Sequence, residues 1–136
     1  MDIVWLIIDS LSFRATSFAD DGPDTTPNLR KITESAGVNF TSAYAPGPLS
    51  PSSHAAMLTG VLPSVGGMHE AHPYFDGKVS TIADRLADTH STHLLSLNMW
   101  LFQGLHRGFS HTKDFSRQYL LFREATDPLD YFRKND

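Results

Sequence analysis

The sequence contains no cysteine. That excludes disulfides, thiolate metal sites and a cysteine nucleophile in one step, and leaves the redox compartment open. Charge is sparse as well, with Asp, Glu, Lys and Arg making up 19% of the 136 residues. Lys and Arg number 11 against 15 Asp and Glu, for a net charge of −4. There is therefore no basic footprint for nucleic acid or for an anionic membrane surface. Long apolar runs are also missing. Ile3 to Ile8 is apolar, but Asp2 precedes it and Asp9 ends it, far short of a signal core or of the ~20 residues of a membrane span. These features predict a cytoplasmic protein with no nucleic-acid partner and no membrane partner. The Asn39-Phe40-Thr41 sequon is then incidental. Internal repeats and low-complexity tracts are absent too.

The length is that of one domain, and the 40% hydrophobic content suffices for a core. Nine Gly and eight Pro promise substantial loops. Ile3-Val4-Trp5-Leu6-Ile7-Ile8 is continuous rather than alternating, which predicts a buried central strand of a parallel sheet. It ends in Asp9-Ser10. A carboxylate and a hydroxyl there lie where open α/β sheets place ligands; capping of the following turn is an equal alternative for Asp9. Residues 12–25 read as a polar loop. Thr26 then serves as N-cap, Pro27 as first helical residue, and Leu29, Ile32 and Ala36 as one face, with Gly37 as the stop.

A second strand is expected over Val38 to Tyr44, ended by Ala45-Pro46-Gly47-Pro48. Ser52 or Ser53 should cap a short helix through Leu58 that Gly60 closes. Residues 61–79 read as loop. Thr81-x-x-Asp84 resembles a capping box opening a helix with Ile82 and Leu86 inward. His93 to Leu97 is a third strand, 104–115 a loop with a short strand, and Thr126-Asp127-Pro128 the start of a last helix. The order β, α, β, α, α, β predicts an α/β fold, with an incomplete, mostly parallel sheet flanked by helices.

The chemically informative stretch is Leu49-Ser50-Pro51-Ser52-Ser53-His54-Ala55-Ala56-Met57-Leu58-Thr59-Gly60. Ser50 precedes a helix whose first amides and dipole favour an anion. A hydroxyl there can attack a phosphorus or sulfur centre while the amides hold developing charge. A plain capped helix after a Pro-rich loop is the bland alternative. Other motifs fail: there is no Gly-x-Ser-x-Gly elbow, no P-loop and no dinucleotide fingerprint. His69-Glu70-Ala71-His72 lacks zincin spacing, and Pro73 discourages the helix that motif needs. His90, His93, His106 and His111 have no acid at recognisable spacing. Phe115, Tyr119 and Phe122 recur at nearly helical spacing and read as packing.

Several blocks occur in a recognisable order: Val4 to Ser10, Thr25-Thr26-Pro27-Asn28-Leu29, Gly37-Val38-Asn39-Phe40, Ser50 to Gly60 with Leu62-Pro63-Ser64, and Gly104 to Phe109. With these blocks the chain resembles the N-terminal half of the sulfatase family, within the alkaline phosphatase superfamily. The resemblance implies that residues 1–136 are a truncated sulfatase-like N-terminal domain of a hydrolase of small sulfate esters. It implies a divalent cation, calcium or magnesium, with Asp9, Ser10 and Ser50 as ligands. Ser50 matches the nucleophile, which sulfatases make as formylglycine from cysteine or serine.

The departures are specific. The second aspartate after strand one is Ser10. The formylglycine signature has Pro or Ala two residues after the nucleophile and Arg four after; here stand Ser52 and His54. His54 is then the anion partner in place of Arg, and the change argues against conversion of Ser50. Asn98 and Trp100 fall where many sulfatases bring a Lys-x-His pair to the sulfate, making Asn98 a substrate-binding candidate. The alternatives are a phosphoesterase or phosphonate hydrolase using the unmodified hydroxyl, and a catalytically inactive sulfatase-like fragment. A sheet cut short should also expose apolar surface and promote self-association.

Overall fold

The computed structural model describes residues 1–116. They divide into two units, residues 1–44 and the chain from Ala45 onward. The helix expected at Thr126, together with Tyr119 and Phe122, lies outside the described residues.

In the first unit, α1 spans Pro27–Ala36, with Pro27 at its start and Gly37 at its end, as the sequence predicts. Thr26 holds the cap position but makes no capping bond with its side chain. Its hydroxyl accepts instead from the Ser17 amide at 3.1 Å, while its own amide donates to Ser17 Oγ at 2.8 Å. Ser17 Oγ also donates to Asp24 Oδ1 at 3.0 Å. This reciprocal clasp closes the loop that leads into α1, and it uses the oxygen that would otherwise have capped the helix. A 3-10 turn, Phe13–Ala15, precedes it.

The expected strands at 3–8 and 38–44 are not formed. Ile3 to Ile8 are all exposed, Val4 by 92%. A strand exists only through pairing, and the sheet among the described residues has two strands, neither of them from this unit. The apolar run therefore satisfies the composition of a buried strand without its burial.

The second unit carries the core. Here α2 spans Ser50–Thr59, α3 Pro63–Gly66 and α4 Ile82–Leu86. The strands β1, His93–Ser96, and β2, His111–Asp114, pair in parallel, His93 opposite His111 and Ser96 opposite Asp114. The fold class is thus α/β, as expected. Between the strands the chain crosses over through two 3-10 turns, Met99–Phe102 and Leu105–Gly108. Parallel neighbours require a long connection, and this one adds Leu101 and Leu105 to the core. Both are buried with Ala55, Leu58, Met68 and Phe75, and Ile82, Leu94 and Phe109 pack around them.

The start of the sheet is pinned by hydroxyls. The Ser110 amide donates to buried Thr92 Oγ1 at 3.0 Å, and the His111 amide donates to the Thr92 carbonyl at 3.0 Å. The capping box of α4 is complete: Thr81 Oγ1 accepts from the Asp84 amide at 3.2 Å, and Asp84 Oδ2 accepts from the Thr81 amide at 2.7 Å. One helix was not expected: α3 opens at Pro63 and ends at Gly67, which has a φ of 77°, inside a stretch read as loop. Among the described residues, no helix is long and apolar enough to cross a membrane.

Candidate active site

Helix α2 begins three or four residues earlier than capping by Ser52 or Ser53 would place it. Ser50 is its first residue and Leu49 occupies the cap position. Proline favours the first helical turn because its missing N–H is not needed there. Pro51 thereby draws the start upstream of Ser52 and Ser53, which become helical residues rather than caps. Their hydroxyls turn back onto the preceding loop: Ser52 Oγ lies 3.0 Å from the Leu49 carbonyl, and Ser53 Oγ donates to the Gly47 carbonyl at 2.7 Å. At the far end Gly60 adopts φ 76° and donates its amide to the Ala56 carbonyl at 2.8 Å, the expected left-handed stop.

Ser50 is half-buried at the mouth of this turn. His54, one turn along and 4% exposed, places Nδ1 at 2.9 Å from the Ser50 carbonyl oxygen. A carbonyl only accepts, so this ring nitrogen carries the proton. The structure thus brings Ser50 and His54 together through the backbone of Ser50.

Asn98 lies in the same unit. It caps the 3-10 turn Met99–Phe102, its Oδ1 accepting from the Trp100 amide at 3.0 Å. That turn packs against α2, which places Asn98 on an element adjoining the helix that carries Ser50.

Asp9 and Ser10 belong to the first unit. Both are exposed and form a turn after the apolar run. Ser10 has φ 59°, a left-handed conformation that costs a non-glycine residue about 1–2 kcal/mol. A hard divalent cation takes about six to eight oxygen ligands. Among the described residues, no three His, Asp or Glu side chains are grouped to hold one. Asp9 offers a single carboxylate, and the described donors do not make up a metal centre.

One partner escapes the sequence reading. Glu70, in a turn where the His69 and His72 backbones exchange hydrogen bonds of 3.1 and 2.9 Å, places Oε1 at 2.7 Å from Ser52 Oγ. That hydroxyl, with help from a backbone amide and the charge of His69, holds the Glu70 carboxyl below its ordinary value, against a smaller opposing effect of desolvation. The two residues stand 18 apart in sequence, and no local spacing announces such a pair.

A family model described as Sulfatase matches residues 1–128. Among curated proteins, a protein named Sulfatase from Formosa agariphila is 31% identical over 78 residues. That alignment covers 57% of this chain and 15% of the relative. No solved structure matches.

Proposed function

The chain belongs to the sulfatase family, and from that premise we propose that it forms the N-terminal part of a hydrolase of small sulfate esters with Ser50 as nucleophile. The observation that carries the reading is the placement of Ser50 as the first residue of α2, where the unsatisfied amides and the dipole of a helix start favour an anionic group. In the transfer step a Ser50 Oγ–sulfur bond forms and the bond from sulfur to the alcohol oxygen breaks. The alcohol leaves carrying a proton, and water then releases sulfate from the serine.

His54 is a positioning residue in this scheme, since its ring holds the Ser50 carbonyl at 2.9 Å. Asn98, which caps the 3-10 turn that packs against α2, is the candidate to bind the substrate. Asp9, with Ser10 and Ser50, is proposed to contribute to a calcium or magnesium site. Further ligands are required to complete such a site. The exposed Ile3 to Ile8 run is proposed to drive self-association of the chain.

A second reading rests on Ser52 and His54. With both turned inward on the backbone of the turn, neither stands as the proline or the arginine of the formylglycine signature. That favours an unmodified Ser50 acting on phosphate or phosphonate esters. The complete protein, assayed in parallel on nitrophenyl sulfate and nitrophenyl phosphate, separates the readings when combined with the mass of the peptide containing Ser50. Sulfate turnover is the expected result, and a peptide lighter by two hydrogens identifies formylglycine. Phosphate turnover with an unmodified serine supports the second reading. Turnover of neither ester overturns both in favour of an inactive chain.

A further inference from the structure

A carboxylate ties the turn that presents Ser50 to a second loop of its unit. Ser52 is 1% exposed, and a buried hydroxyl without a partner is costly. Its partners are Glu70 Oε1 at 2.7 Å and the Leu49 carbonyl at 3.0 Å. A single hydroxyl proton serves one acceptor at a time, and the anionic oxygen at the shorter distance is the stronger. The same side chain lies against Gly47, where an added Cβ would collide with Ser52 Oγ. Ser53 Oγ holds the Gly47 carbonyl from the next position. Residues 47 to 49 are thus packed onto Ser52, and Ser52 is tied to Glu70. Glu70 itself sits in the doubly bonded turn of His69 and His72, so the tie ends on an ordered support.

We propose that Glu70 is a positioning residue for Ser50, fixing through Ser52 the Gly47–Leu49 segment and the first turn of α2 so that the Ser50 hydroxyl is held in one orientation. The proposal rests on the reading of Ser50 as the reacting residue. It also accounts for Ser52 at a position where the family's signature has proline or alanine. A pyrrolidine ring stiffens such a turn covalently; here a hydroxyl–carboxylate bond supplies the stiffness and becomes sensitive to acid. The folded Glu70 carboxyl is held below its ordinary value by the Ser52 hydroxyl. Its contribution is therefore full above the unfolded carboxyl value and is lost as pH falls through the lowered folded value. The other titratable groups on the elements carrying the pair are His54 on α2 and His69 and His72 in the turn, of which His69 acts on Glu70.

Amide hydrogen exchange of the 136-residue chain tests this. The reporter is the Ser53 amide, which donates to the Leu49 carbonyl at 3.1 Å. Protection at Ser53, corrected for intrinsic rates, should fall about fivefold in Glu70→Ala at pH 6.5. It should fall in the wild type as pH drops through the lowered Glu70 value and show a flattened acid profile in Glu70→Gln. His69→Gln should keep the acid transition. Ser52→Ala should give the same loss as Glu70→Ala, and the double variant no further loss, since both remove one interaction. In the complete protein Glu70→Ala should lower kcat several-fold with KM unchanged.

Wild-type protection and an unaltered acid profile in Glu70→Ala would overturn the proposal, as would independent addition of the two losses. Failure of the underlying reading looks different: Ser50→Ala would then retain turnover while the exchange results stand.

Discussion

Ser50 owes its setting to a proline beside it and to side chains that turn back on its own backbone. Pro51 starts the helix at Ser50, His54 takes the Ser50 carbonyl, and Ser53 holds the carbonyl of Gly47. All of these residues fall in the stretch that the sequence marks as informative. Their roles were not legible, because serine at a helix start reads as a cap unless the proline between them is given weight. Glu70 was not legible at all, since its link to Ser52 joins residues 18 apart in sequence. Asp9 is followed by Ser10 in the left-handed conformation, φ 59°. In the complete protein, Asp9→Asn should weaken calcium or magnesium binding at least tenfold by calorimetry, because a full carboxylate charge is removed. Unchanged affinity would assign Asp9 to turn capping.

Among the elements, those with strong local chemistry were readable and those defined by pairing were not. The Pro27 start and Gly37 stop of α1, the Gly60 stop of α2 and the Thr81–Asp84 box of α4 are all as the sequence predicts. Each depends on a few neighbouring residues. The strands at 3–8 and 38–44 depend on partners elsewhere in a sheet, and a run of β-favouring residues does not supply them. The strand at 93–97 was recovered as His93–Ser96 because β2 lies beside it in register. The short α3 was missed because Pro63 and Gly67 read equally well as loop punctuation. Thr81 is 1% exposed and makes both halves of its box. Thr81→Ala should therefore cost about 1–2 kcal/mol, read as a lower midpoint in urea unfolding. Thr81→Ser, which keeps the hydroxyl, should recover most of it, and equal losses in both variants would assign the effect to the methyl group.

At the scale of the molecule, the two units differ in how they treat their apolar residues. The second buries Met68 and Leu105 completely, with Phe75 and Leu101 nearly so. The first leaves Ile3, Trp5, Leu6 and Phe40 more than half exposed. Contiguous apolar surface of this kind favours association. The purified chain should elute larger than a monomer, and Trp5→Asp with Leu6→Asp should shift it toward the monomer position. Monomeric elution of the unsubstituted chain would remove self-association from the account.

The central claim is that Ser50 attacks the ester, and it is tested most directly by turnover of nitrophenyl sulfate by the complete protein with serine or alanine at position 50. Ser50→Ala should leave folding intact, since Ser50 is half-buried at the first turn of α2, and should reduce turnover far more than tenfold. Residual turnover within tenfold of the wild type, a barrier change below ~1.4 kcal/mol, would mean that another group carries out the attack.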